Sequence, residues 1–419
     1  MINYFTEQTN FYGNSSPFSL VEKYGSPLYV YNEVILKLRC REMAGLVSYP
    51  HFKANYSIKA NSNLELLKIV RREGLAADAV SPGEIHVLLE AGFRPEEIFY
   101  VGNNVSEAEM MFAVKREVLV SVDSLAQLEQ FGRLNPGGRV AVRFNPGVGV
   151  GHHPKVVTGG KDTKFGIYPA LVDDVKNIIA KHRLQMVGVN QHIGSLFLDG
   201  DVYVEGVKLL LAIARQFDNL EFVDIGGGFG IPYHKQAGQA RLDLMKLGIA
   251  LSELFYEWTK IYGRKIEFRI EPGRYIVAEC GVVLGTVFAM KENYGVPYLG
   301  TDIGMNVLIR PAMYDAYHEF EVYRRGRTII PENFKPVTVA GNICESGDII
   351  AKDRKLPEIC EGDLLGVMDA GAYGYSMSSN YNNRLRPAEV LIREDGHPVL
   401  IRRRDTLEDL LRNFISDQI

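Results

Sequence analysis

Lys59 closes an apolar run, YSIKAN (56–61). A lysine that ends such a run is most often solvated, but one desolvated in a pocket mouth loses its proton and forms a Schiff base with an aldehyde. The run IGGGFG (225–230) sets Gly226, Gly227 and Gly228 at another strand-like end. Glycines there let backbone N–H groups come close enough to cradle a phosphate. The dinucleotide fingerprint GxGxxG is not what stands here. HIGS (192–195) places an imidazole three residues before a hydroxyl. A lone histidine is more often structural, yet beside a planar ring His192 would stack on it and Ser195 would donate to a phosphate. EPGR (271–274) separates Glu271 from Arg274 by a Pro-Gly turn containing Gly273. The bland account is a surface ion pair; the specific one is a carboxylate facing a pyridine nitrogen, which keeps that nitrogen protonated and makes the ring an electron sink. A lysine, a phosphate cradle and such a carboxylate together suit an aldehyde cofactor of the pyridoxal phosphate kind. Asp78 and Glu84 in DAVSPGE are further candidates without an assigned role, since Glu84 reads equally as a first-turn helix acid. His152 and His153 invite a metal reading, but no carboxylate or cysteine stands at ligand spacing, and no metal is expected.

The elements that must position these residues repeat. Short β-branched runs at 56–60, 76–80, 98–102, 118–123, 139–145, 186–192, 222–228 and 267–273 alternate with stretches whose apolar residues recur every three or four positions. Such βα repeats predict a parallel sheet, either doubly wound or closed into a (β/α)8 barrel of about 250 residues. Lys59, Asp78, Ser81, Asn145, His192, the three glycines and Glu271 all follow strand ends. A barrel gathers all those ends around one mouth, where barrel sites lie, whereas an open sheet would scatter them. Beyond residue 285 the helical period stops, and VLGTVFAMK, KPVTVAGN, GDLLGVM, AEVLIRE and HPVLIRRR read as strands. The expected fold is thus α/β: a (β/α)8 TIM barrel over 32–285 and a second, C-terminal β domain over 286–419. The strand-like SPLYVYN near the start adds 1–31 to that β domain and makes it discontinuous.

Composition narrows the function. The 419 residues are 46% hydrophobic and 23% charged with a net charge of -4, so no basic footprint for nucleic acid or anionic lipid exists and a small-molecule role is expected. Four scattered cysteines make neither a disulfide framework nor a metal knuckle, which suits a reducing cytoplasm. No targeting segment and no membrane-length apolar run is read in the chain.

In order, YSIKAN, HIGS, GGGFG, EPGR, DIGMNVLIRPAMY, CESGD and GAYGYSMSSNYN closely resemble the motif set of the diaminopimelate decarboxylases. These are barrel-type pyridoxal-phosphate enzymes related to alanine racemase and ornithine decarboxylase, and the resemblance covers nearly the whole chain. It implies pyridoxal 5'-phosphate as cofactor and decarboxylation of meso-2,6-diaminopimelate to L-lysine, the last step of lysine biosynthesis. Lys59 would hold the cofactor covalently, His192 would stack on its ring, and Glu271 would face the pyridine nitrogen. Ser195, Gly226, Gly227, Gly228, Gly273, Arg274 and Tyr373 would surround the phosphate. Arg274, Arg310 and Tyr314 would contact substrate carboxylate, with Tyr373 beside them, and Glu345 would read the distal amine. Cys344 is the implied proton donor, since an ordinary thiol is still protonated at neutral pH. Cys344 and Glu345 would come from the partner subunit, which implies a homodimer with a shared active site. Leu196 and Pro82 stand where such enzymes commonly have Gln and Gly. Two other functions compete: decarboxylation of another D-configured basic amino acid such as D-ornithine or D-lysine, and noncatalytic binding of the cofactor.

Overall fold

The computed structural model describes residues 4–147, 149–151, 160, 163–326, 329 and 334–415; His152 and His153 lie outside them. The chain divides into two compact units, one of Lys37–Pro232 and Ala240–Ile276, the other of Met1–Leu36, Tyr233–Gln239 and Val277–Ile419. The sequence pattern draws these boundaries at 32 and 285, and it gives no sign of the Tyr233–Gln239 excursion.

The first unit is a closed parallel barrel of eight strands. In chain order they are Phe52–Ser57, Ala76–Ala79, Ile98–Tyr100, Leu119–Val122, Arg139–Arg143, Gln185–Asn190, Phe222–Gly227 and Glu267–Glu271. Strand eight closes on strand one with Phe268 opposite Phe52. Each of the first seven strands is followed by a helix: Leu64–Arg72, Pro82–Glu90, Glu107–Val114, Leu125–Leu134, Val172–His182, Gly200–Ala214 and Leu244–Tyr262. The helix Glu33–Ala44 stands where the eighth would be. Its Arg41 pairs with Glu73 at 2.7 Å and its Glu42 accepts from the Tyr275 hydroxyl at 2.9 Å, which ties it between the first helix and the end of strand eight.

Apolar side chains close the barrel interior. Phe99, Val101, Ala141, Val187 and Phe222 form one buried cluster, with the Phe99 and Phe222 rings edge to face at 5.4 Å. Burying a side chain of that size contributes about 1.5–3 kcal/mol each. Gly188 makes room for it, because a Cβ there would lie 2.2 Å from the Phe222 ring. Arg269 of strand eight covers this cluster, its guanidinium 3.7 Å from the centre of the Phe222 ring and paired with Glu267. Strand-to-helix turns are set by side-chain caps from Asn63, Ser81, Ser124 and Asp243. Ser81, one of the polar strand-end residues, therefore serves the helix it caps, and Pro82 sits at the first helical position, where its missing N–H costs nothing.

The second unit is a mixed nine-stranded sheet. Its long strand Gly281–Asn293 pairs antiparallel with Leu28–Asn32, with Leu364–Val367 and with Val296–Thr301. Leu28–Asn32 pairs in parallel with Ala388–Ile392, so the N-terminal segment is a central strand of this sheet. Phe320–Tyr323, Lys335–Ala340, Ile349–Leu356 and Pro398–Arg402 complete it. A short helix, Leu407–Leu411, follows the last strand.

Candidate active site

At the barrel's C-terminal ends the chain gathers a second set of charges, the buried Asp78, Arg143, Asp224 and Glu271. Lys59 is half-buried in the 3-10 turn Ile58–Ala60; the strand itself stops at Ser57 rather than running to residue 60. It stops because the rim bends: Ser57 turns its N–H to the Pro272 carbonyl at 3.1 Å, and the Tyr56 hydroxyl donates to the Asn61 carbonyl at 2.9 Å. Glu271, at the end of strand eight, is 3% exposed, and its Oε1 is buried with no hydrogen-bond partner among the described residues. Burial raises its pKa, and the positive charges of Lys59 and Arg143 pull it back toward the ionised form.

His192 lies in the loop after strand six with Nδ1 3.6 Å from Glu271 Oε2. The contact has the geometry of an ion pair, but burial and the nearby charges of Lys59 and Arg143 hold the imidazole well below its ordinary pKa, so the ring is neutral. The Gly227 N–H donates to Nδ1 at 3.3 Å, which leaves the ring proton on Nε2.

The glycine turn is built for close approach. Gly226 adopts φ +79, and a Cβ there would meet the Gln191 carbonyl oxygen at 2.3 Å; a Cβ on Gly227 would sit 2.0 Å from the carbonyl oxygen of Glu271. No other residue fits without moving the end of strand six at Gly226 or the end of strand eight at Gly227. Gly228 is similarly enclosed by Gly194, and Gly273 packs against Ser57 and Ala60. Arg274 donates from Nη2 to Ser195 Oγ at 3.2 Å, so HIGS and EPGR meet across the mouth.

Four further charged residues share this mouth. Asp78 is raised, by burial first and by the negative charge of Glu271 second; the charge of Lys59 opposes both. Burial pushes Glu84 up to about 7 while its Oε2 accepts from the Val80 N–H at 2.7 Å. Asp224 is raised well above its ordinary value by burial and Glu271, and it accepts from the Gly226 N–H at 2.9 Å, holding the glycine turn from below. Arg143, at the end of strand five, is 6% exposed and faces Glu271, Asp123, Asp78 and Asp224. The sequence reading passes over Arg143 and Asp224. Their signal was available: each is a charge inside an otherwise apolar strand, RVAVRFN and FVDIGGG.

The other sequence-derived residues lie in the β unit. Arg310 opens the helix Arg310–Tyr314, which places Tyr314 one turn on, as the spacing predicts. Arg310 is 2% exposed, and this excludes a bland surface arginine. Cys344 and Glu345 are exposed on a tight turn, where the Cys344 N–H donates to Asn382 Oδ1 at 2.7 Å. Cys344 also lines a cavity of about 1010 Å3 with Asn306, Asn342, Arg384 and Arg404. Tyr373 is half-buried with φ +57, a left-handed conformation that is uncommon for a residue with a side chain. Among the described residues no group of His, Cys, Asp and Glu could hold a metal, and no helix is long and apolar enough to cross a membrane.

A closed parallel barrel with a lysine, a buried carboxylate, a neutral imidazole and a glycine turn at one mouth defines a barrel enzyme of the cofactor-dependent class. The pyridoxal binding domain of the pyridoxal-dependent decarboxylases matches residues 36–278. A diaminopimelate decarboxylase of Methanothermobacter thermautotrophicus is 42% identical over 409 residues, which is 96% of this chain and 94% of that protein. The crystal structure of a diaminopimelate decarboxylase superposes with a TM-score of 0.88 at 33% identity, covering 94% of both chains. That of the Helicobacter pylori diaminopimelate decarboxylase complexed with L-lysine gives 0.86 at 31% identity, covering 95% of this chain and 98% of that one. The chain belongs to the pyridoxal-dependent decarboxylases and, within them, to the diaminopimelate decarboxylases. Its cofactor is pyridoxal phosphate. The mouth suits that cofactor: a buried carboxylate oxygen without a partner matches a protonated ring nitrogen, and a turn too tight for any Cβ matches a phosphate.

Proposed function

We propose that the chain removes one carboxylate of meso-2,6-diaminopimelate to give L-lysine and carbon dioxide. The observation that carries this reading is that Lys59 and a buried Glu271, whose Oε1 has no hydrogen-bond partner among the described residues, stand at the same barrel mouth. Pyridoxal phosphate, when bound, supplies the electron sink for the bond that breaks. Lys59 would hold the cofactor covalently at the barrel mouth. Glu271 would keep a proton on the ring nitrogen, and the charge of Arg143 favours the ionised form of Glu271 that this needs. His192, neutral, offers a flat face to the ring without adding a competing positive charge. Gly226, Gly227, Gly228, Ser195, Gly273, Arg274 and Tyr373 surround the phosphate. Arg310 takes the distal carboxylate as a charge-assisted fork, with Arg274 and Tyr314 assisting, and Glu345 takes the distal ammonium. Cys344 returns a proton to the carbon that has lost its carboxylate.

A panel of meso-diaminopimelate and D- and L-basic amino acids, assayed with the holoenzyme, tests the substrate. Lysine from meso-diaminopimelate is expected to dominate. A preference for D-ornithine or D-lysine, read as diamine product, would overturn the assignment.

Cys344 and Glu345 are supplied by the second subunit of a homodimer, in the cytoplasm, where exposed thiols stay reduced. Inactive Lys59→Ala and Cys344→Ala chains, unfolded together and reassembled, are expected to regain about a quarter of wild-type activity, since half of the dimers are mixed and each of those holds one intact site. Mixed dimers that form and remain inactive would place both residues in a site built by one chain.

A further inference from the structure

The Arg310 guanidinium is held on two sides before any substrate arrives. Its face lies 4.9 Å from the centre of the Tyr233 ring. Its edge is bonded, with Nη1 2.8 Å from Nε2 of His318. A guanidinium can only donate, so Nε2 must accept, and the His318 proton sits on Nδ1. Nδ1 lies 2.7 Å from the Met368 carbonyl oxygen, which is an acceptor and fixes the same tautomer from the other side. The Tyr233 and His318 rings in turn meet edge to face at 5.4 Å, so the three side chains form a closed set.

Each member of that set is anchored by chain next to it. Two residues after Tyr233, Lys235 places Nζ 2.5 Å from Asp369 and 3.3 Å from Glu279. Both carboxylates are fully buried, and Asp369 adjoins Met368, whose carbonyl sets the His318 tautomer. Arg354 donates to the His318 carbonyl oxygen, and the Gln236 N–H donates to Glu319 at 2.6 Å. The Tyr233–Gln239 excursion thus has a use that the sequence pattern does not reveal: it brings an aromatic face and a cationic anchor to Arg310.

An arginine fork reads a carboxylate through two parallel N–H bonds, and this selects one plane of approach. A guanidinium already fixed in plane does not lose that rotational freedom on binding. We propose that His318 is a positioning residue for substrate binding: as a neutral acceptor it fixes the plane of the Arg310 guanidinium. This rests on the reading of Arg310 as the arginine that takes the distal carboxylate.

Two amide substitutions separate the two ring nitrogens of His318. His318→Asn keeps a donor for the Met368 carbonyl and is too short to accept from Arg310. His318→Gln keeps an acceptor for Arg310 and gives up the Met368 contact. With the holoenzyme and meso-diaminopimelate, His318→Asn is expected to raise KM about ten- to a hundredfold, the worth of one hydrogen bond to a charged group. His318→Gln is expected to leave KM near that of the wild type, with kcat and cofactor absorbance little changed in both and the melting temperature lowered in both, since each loses one buried hydrogen bond. In an Arg310→Met background, His318→Asn should add nothing to KM, because the group it positions is gone. The proposal is overturned if Asn leaves KM unchanged while Arg310→Met raises it, or if the two changes multiply. It also falls if Asn and Gln raise KM alike, in step with their loss of melting temperature, which would make His318 a residue of the fold alone. An Arg310→Met enzyme with wild-type KM would overturn the reading of Arg310 itself, and the positioning role with it.

Discussion

Lys59→Ala is expected to abolish turnover and covalent retention of the cofactor in a barrel that stays folded. Lys59 is the positive charge that offsets the raised pKa values of Asp78, Glu84 and Glu271. Removing it pushes all three carboxyls further up. Because Glu84 already titrates at about 7, the group can take up a proton instead of standing as an unpaired buried charge, and the cost to the fold is modest. The chemistry has no such alternative. On the proposed role, Lys59 is the residue that would bind the aldehyde carbon, so without it kcat should fall by at least about a thousandfold. Borohydride treatment of the wild-type holoenzyme, followed by peptide mapping, should place the pyridoxyl label on the peptide carrying Lys59, and Lys59→Ala should carry none. Label on any other lysine in the wild type would remove Lys59 from the role.

The barrel was legible because its strands are short apolar runs set off by helical periods: six of the eight lie inside the runs that the sequence marks, strand six starts one residue earlier, at Gln185, and strand one, Phe52–Ser57, shares only Tyr56 and Ser57 with the run 56–60. What was not legible is where charge or proline interrupts a strand. Ile349–Leu356 carries Lys352, Asp353, Arg354 and Lys355 because it lies at the sheet's edge, where exposed charge is tolerated and discourages further pairing. Val296–Thr301 contains Pro297, which argues against a strand, although the left-handed pair Tyr294 and Gly295 before it forms the tight turn of a hairpin. Phe320–Tyr323 hides a buried Glu321, which accepts from the backbone and hydroxyl of the distant Thr6 as well as from the Tyr323 phenol two residues on.

The same division holds at the site. Lys59, His192, Ser195, the three glycines, Glu271 and Arg274 stand at strand ends, where local sequence already singles them out. Arg143 and Asp224 matter through charges on other strands, Glu271, Asp123, Asp78 and Asp224 around Arg143, and Glu271, Arg269 and Asp78 around Asp224, which no local window of sequence brings together. His318 and Tyr233 are invisible from sequence for a related reason. Their relation to Arg310 depends on a seven-residue excursion, Tyr233–Gln239, that leaves the strand-seven loop for the other unit.

Arg310→Met is expected to change substrate choice more than it changes the enzyme's general competence. In the wild type the guanidinium is buried and already bonded on one edge, so its charge is poorly screened and a carboxylate brought to it forms a strong pair. Losing such a contact costs about 2 to 5 kcal/mol, which is roughly thirtyfold to several thousandfold in kcat/KM for meso-diaminopimelate. The same substitution leaves His318 Nε2 without its donor, so some loss of melting temperature, worth about 1–3 kcal/mol, accompanies it. Stability alone therefore cannot serve as the readout. The ratio of kcat/KM for meso-diaminopimelate to that for D-lysine can, because D-lysine has the same reacting centre and lacks the distal carboxylate. If Arg310 binds that carboxylate, the ratio collapses while the slow reaction with D-lysine is kept. If Arg310 serves only to hold Tyr233 and His318 in place, both substrates lose rate together and the ratio stands.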